Sequence, residues 1–153
     1  MLRQTTSQRD DETTSGASLC YADDEYTSNS LSDKVMERCI ENLYIWNESR
    51  KVVNQIYSIM KDCRDYGFKD QIQRASVSIM NNIAEGLESG SDAKFINFLN
   101  IAKGSCSEVK SMLYLCEDFN YCSAEERIEI QYQIKQISTG IIRLIDSLQK
   151  KNS

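Results

Sequence analysis

Residues Gln71 to Gly86 read Q-I-Q-R-A-S-V-S-I-M-N-N-I-A-E-G, and the interleaving of polar and apolar residues there decides the fold. At about 100° per residue, Gln71, Arg74, Ser78, Asn82 and Glu85 fall within roughly an 80° arc, while Ile72, Ala75, Ile79, Met80, Ile83 and Leu87 form the adjoining apolar face. A surface helix would scatter its polar groups more widely.

Outward from this stretch the chain has no proline, and apolar residues keep recurring at three- and four-residue steps. A first helix carries Cys39, Leu43, Trp46, Val53, Ile56, Tyr57 and Met60, with small Ser49 in the turn between, and ends near Arg64. The second runs from about Phe68 to Leu87. It stops in Glu-Ser-Gly-Ser-Asp, where Gly86 and Gly90 supply the break and Ser91 or Asp92 caps the next helix. The third, to about Phe119, lines up Phe95, Phe98, Ala102, Ser105, Val109, Met112, Leu113 and Cys116. Ser123 and Glu126 form a capping box for a fourth helix with Ile130, Ile134, Ile137, Ile141, Leu144, Ile145 and Leu148 on one side. Short connections between four such helices predict an all-α, antiparallel up-down four-helix bundle.

That bundle occupies residues 34–153. Residues 1–33 are rich in Ser, Thr, Asp and Glu with few large apolar groups, a composition that predicts a disordered tail. The segment holds seven acids (Asp10, Asp11, Glu12, Asp23, Asp24, Glu25, Asp33) against Arg3 and Arg9, which is the whole net charge of -5. The rest of the chain then has 16 acids and 16 bases. The acidity belongs to the tail, and the body is neither broadly basic nor broadly acidic. No apolar run of about 18 residues exists for a membrane span, and the N-terminus lacks a secretory pattern, so a cytoplasmic protein with no membrane partner is expected.

Chemistry is limited by composition. With no histidine, Ser-His-Asp and Cys-His nucleophiles and the Glu-x-x-His pair of di-iron bundles are excluded. The six cysteines never approach Cys-x-x-Cys spacing, so no metal and no cofactor is expected, and Cys106 and Cys116 read as core residues. Lys103-Gly104-Ser105 has the wrong order for a phosphate loop and lies mid-helix. Glu125, Glu126 and Glu129 complement the dipole at a helix start. Asn47-Glu48-Ser49 matches a glycosylation acceptor by chance, because Ser49 faces the core. An enzyme with a site of another kind is the rival class, recognisable by a bound small molecule or metal in mass spectrometry.

A second motif, Ile101 to Glu108, reads I-A-K-G-S-C-S-E. Glycine inside a helix costs about 1 kcal/mol relative to alanine. Gly104 and Ser105 therefore suggest a close approach by another backbone or a large side chain, and Glu108 at the edge of the apolar face invites Arg74 as its ion-pair partner. Arg74, Asn82, Glu85 and Glu108 then make either a ligand or nucleic-acid site, or a buried network fixing helix register or a subunit contact. The second alternative is favoured.

These two motifs, with the pair Leu43-x-x-Trp46, resemble the signature of the 23S rRNA intervening-sequence proteins, bacterial four-helix bundles related to the accessory protein of diversity-generating retroelements. The resemblance covers roughly residues 40–150, and Gln71, Arg74, Ala75, Ser78, Ile79, Asn82, Ile83, Ala84, Glu85 and Gly86 match. Where the family has proline, this chain has Met80, and it also lacks the family's proline near Phe68 and Lys69. The resemblance implies homopentamers and no established enzymatic activity. The retroelement relatives imply RNA or DNA and a reverse transcriptase as partners, bound through a basic pentamer surface. Here Arg50 with Lys51, Lys61 with Arg64, and Arg143 with Lys150 and Lys151 are small basic patches that five-fold repetition would gather into a ring. Tyr44, Trp46 and Tyr57 read as core rather than as stacking platforms.

Overall fold

The computed structural model of the chain describes residues 39–151; the expected tail over 1–33 and the start of the bundle at residue 34 lie outside the described residues. A 3-10 turn, Ile40–Asn42, leads into α1 (Tyr44–Ile59), followed by α2 (Tyr66–Glu88), α3 (Asp92–Asp118) and α4 (Ala124–Lys151). Each helix packs on its sequence neighbours and α4 closes on α1, which is the up-down arrangement. No described helix is long and apolar enough to cross a membrane.

Local chemistry sets each boundary. Asp65 Oδ1 accepts the Phe68 N–H at 3.1 Å at the start of α2, and Ser91 Oγ accepts that of Lys94 at 3.3 Å at the start of α3. At α4 the reciprocal box is complete: Ser123 Oγ accepts the Glu126 N–H at 3.1 Å, and Glu126 Oε2 accepts the Ser123 N–H at 2.8 Å. Such caps contribute about 1 kcal/mol each. α3 ends with Asn120 at φ 58°, the Tyr121 N–H on Cys116 O at 2.7 Å and the Asn120 N–H on Glu117 O at 2.9 Å. That pairing satisfies carbonyls the last turn would otherwise leave open. Tyr121 then packs in a triangle with Phe68 and Phe119, centroids 5.5 to 6.1 Å apart, Phe119 edge-on to both other rings, closing this end of the bundle.

The core is isoleucine-rich. Ile72, Ile79 and Ile83 of α2 meet Leu99, Val109 and Leu113 of α3 and Ile134, Ile137 and Ile141 of α4, all essentially buried. Two expectations change here. The first helix is shorter than Cys39 to Arg64, because Leu43 is extended (φ -84°, ψ 108°) and α1 begins only after it. Its buried line is Ile45, Ser49, Val52 and Ile56, one residue off the Trp46–Val53–Tyr57 line; Tyr44 (58% exposed) and Tyr57 (49%) face solvent, and Trp46 only flanks the core.

Two glycines set helix separations. Gly86 does not break α2, which continues to Glu88; the left-handed turn residue is Gly90, at φ 75°. A Cβ on Gly86 would lie 2.5 Å from Phe95 Cδ2 and 3.0 Å from Phe98 Cβ, so its bare backbone is what lets α3 cross there. Gly140, which the sequence pattern did not single out, does the same between α4 and α1, where a Cβ would meet Ile45 Cγ2 at 2.5 Å.

Burial also governs the thiols. It pushes Cys106 and Cys116 from the ordinary 9.0 up to about 12. In the native protein a thiol-reactive disulfide at mildly alkaline pH should label half-buried Cys39, Cys63 and Cys122 well before these two. The folded state holds their protons more tightly than the unfolded state does, so the stability they contribute is whole below pH 9.0 and drains away as pH rises towards about 12. Urea midpoints measured across that window should therefore fall, and a Cys106→Ala variant should fall less.

Candidate interaction groove between the second and third helices

Antiparallel packing of α2 on α3 brings the two sequence motifs face to face. Ser78 Oγ and Ser105 Oγ are 2.9 Å apart across the interface. Asn82 Nδ2 donates to Ser78 O at 2.7 Å and to Ser78 Oγ at 3.0 Å, and Ser105 Oγ donates to Ile101 O at 3.2 Å. Each hydroxyl carries one hydrogen. Since that of Ser105 goes to Ile101, Ser78 donates to Ser105, and the chain of bonds runs Asn82 to Ser78 to Ser105 to the Ile101 carbonyl. It ties the register of α2 to that of α3 through two small side chains. Replacing Ser78 by alanine removes the link and leaves half-buried Asn82 with the backbone carbonyl alone; chemical denaturation should show a loss of about 1 kcal/mol.

The charged members of the motifs lie outside this network. Arg74 is 80% exposed and pairs at 3.6 Å with Asp70 on its own helix, not with Glu108. Glu108 receives Gln71 Nε2 at 3.5 Å. Arg74 lies at the end of the polar arc farthest from the apolar face, whereas Gln71 lies about 60° closer to that face and so to α3. Of the expected network of Arg74, Asn82, Glu85 and Glu108, only Asn82 bonds inside the interface, with Ser78 and through it Ser105, while Gln71, Arg74, Glu85 and Glu108 are exposed. Gly67, Asp70, Gln71, Arg74, Ser78 and Glu108 rim an open cleft of about 520 Å³.

Further along the same groove, Gly104 differs from expectation. A Cβ there would meet nothing within 4 Å, so no part of the described chain uses the missing side chain. One turn away Ile101 is 52% exposed. The groove therefore has an inner hydroxyl-amide seam and an outer strip of glycine, isoleucine and opposite charges left open to solvent. Arg74→Ala should shift folding stability by less than about 0.5 kcal/mol, since exposed i,i+4 pairs contribute little.

The basic candidates are spread along the bundle. Lys51 is paired with Glu48 at 2.7 Å, Lys61 and Arg64 lie in the α1–α2 connection, and exposed Arg143 and Lys150 lie seven residues apart in the C-terminal half of α4. Among the described residues no cluster of three or more His, Cys, Asp or Glu is placed to hold a metal ion.

The profile of the 23S rRNA-intervening sequence proteins matches residues 41–143. Among solved structures, the chain is similar to the crystal structure of a protein of unknown function from the S23 ribosomal protein family of Bacteroides thetaiotaomicron. The two share 28% identity and a TM-score of 0.62 over 66% of this chain and 97% of the other. No curated protein matches the sequence.

Proposed function

From the premise that the chain belongs to the 23S rRNA-intervening sequence protein family, we propose that it is a non-enzymatic, homo-oligomeric interaction module. In this reading five copies form a cytoplasmic pentamer that presents a repeated surface to a protein or nucleic-acid partner. The observation that carries it is Gly104, a mid-helix glycine with none of the described residues within 4 Å of its Cβ position. Its cost of about 1 kcal/mol is offset by no contact among the described residues. A second copy seated over Gly104 and Ile101 supplies the missing reason. Arg74 and Glu108, which do not pair with each other within the chain, then serve as the two halves of an ion pair between copies.

The alternative, a retroelement accessory protein that binds nucleic acid and a reverse transcriptase, has less support, because the small basic pairs that the sequence singled out, Lys51, Lys61 with Arg64, and Arg143 with Lys150, are spread over different parts of the bundle. Light scattering on the full chain should give about five times 17.6 kDa. Arg74→Glu and Glu108→Arg should each lower that mass and the double variant should recover it. A chain that stays monomeric at micromolar concentration sinks the proposal.

A further inference from the structure

The opposite groove, between α3 and α4, has a charge pattern that bundle packing does not require. From Ile130 to Ile145, α4 carries Lys135 and Arg143 and neither Asp nor Glu. Between Ala93 and Cys116, α3 carries Lys94, Lys103 and Lys110 and one acid, Glu108, which lies on the α2 side. Lys103 and Lys110 recur at helical spacing on the side of α3 that faces α4. Lys110 and Lys135 line one depression of about 180 Å³ between the two helices. Among the described residues none of these three lysines has an ion-pair partner; Glu117, at one end of the groove, is taken by Arg127. Along α4, exposed Ile128, Tyr132 and Ile142 border the same stripe. A cationic centre edged with apolar groups suits an acidic segment that has apolar flanks.

The chain contains one. Leu19 to Leu31 reads L-C-Y-A-D-D-E-Y-T-S-N-S-L, with three consecutive acids between Tyr21 and Tyr26. It also starts from the right place, because the described chain enters at Cys39 and α1 begins against α4, where Ile45 meets Gly140. Glu25 lies 14 positions before Cys39. That length reaches up to about 45 Å when extended, comparable to the whole of α4 at about 1.5 Å per residue.

We infer that the α3/α4 face is the docking surface for the acidic segment Leu19–Leu31 of the same chain, with Asp23, Asp24 and Glu25 set against Lys103, Lys110 and Lys135. The segment is too polar to build a core of its own and binds through charge and its two tyrosines. Docking closes the face to outside polyanions at low salt and weakens as salt screens the charges.

Zero-length carbodiimide cross-linking of the full-length protein reads this directly, since the reagent joins only carboxylates and amines already in contact. Links from Asp23, Asp24 and Glu25 should favour Lys103, Lys110 and Lys135 by about tenfold over exposed Lys51, Lys61 and Lys150, as an effective concentration set by a short tether requires. Mixed with isotope-labelled protein, the links should stay within one chain. Asp23→Lys, Asp24→Lys and Glu25→Lys together should abolish them. Adding Lys103→Glu, Lys110→Glu and Lys135→Glu should restore links in the reverse sense. Links spread evenly over exposed lysines, links between labelled and unlabelled chains, or failure of the reversal to restore them would each overturn the assignment. A fluorescent single-stranded oligonucleotide supplies an independent readout: Asp23→Asn, Asp24→Asn and Glu25→Gln should raise its affinity several-fold at low salt. Unchanged affinity would show that the segment does not occupy the face.

Discussion

Gly86→Val should destabilise the bundle by about 3 kcal/mol, the upper end for overpacking a well-packed interface. The added Cβ would lie 2.5 Å from Phe95 Cδ2 and 3.0 Å from Phe98 Cβ. A ring edge can swing aside, but Phe95 is itself a core residue, so its displacement disturbs Leu99 and the residues around it. The Cβ of Phe98 cannot swing at all; it moves only with the α3 backbone. Both relaxations pull α3 away from α2 and stretch the Ser78–Ser105 contact, which is 2.9 Å long. Alanine at the same position regains helix propensity of about 1 kcal/mol and should cost correspondingly less. Urea denaturation of both variants tests this, and a valine variant within about 0.5 kcal/mol of the parent would show that the crossing is looser than the geometry requires.

A feature could be read in advance to the extent that its contacts lie within one helix. The stripe of α4 and the Ser123–Glu126 box are local patterns, and both stand as the sequence implied. Register in α1 was ambiguous because Tyr44-Ile45-Trp46 and Val52-Val53 place apolar residues side by side; the bulk of Trp46 and Tyr57 favours one choice and packing takes the other. Gly140 left no signal in its own helix. Its reason for being glycine is Ile45, almost a hundred residues away in sequence.

The groove shows the same division. The two motifs were visible on adjoining helices, but of the network read from them, Arg74, Asn82, Glu85 and Glu108, only Asn82 joins the inner bonds, which run through Ser78 and Ser105. Which charges meet across it depends on helix rotation, and a few tens of degrees decide whether Arg74 or Gln71 faces Glu108. The two motif glycines, alike in sequence, divide by environment: Gly86 is crowded by Phe95 and Phe98 of α3, and Gly104 has none of the described residues within 4 Å of its Cβ position.

That contrast yields the sharpest test of the proposed assembly, since Gly104→Leu should strengthen the single chain and dissolve an oligomer built over this glycine. Leucine is close to the best helix former, so the substitution recovers about 0.8 kcal/mol of propensity, and no atom of the described chain within 4 Å of the new Cβ opposes it. Circular dichroism should show helix content unchanged or slightly raised. If a neighbouring copy sits over Gly104, however, the side chain enters a closed contact. Overpacking of about 1–3 kcal/mol at each interface, repeated around a ring, then lowers the mass measured by light scattering towards that of one chain. Gly104→Ala should lie between, with a smaller mass change at the same concentration. A leucine variant that is more stable and still five copies strong would place the subunit contact elsewhere and leave Gly104 without a role in assembly, whereas one that unfolds would mean that the space above Gly104 is filled by the chain itself.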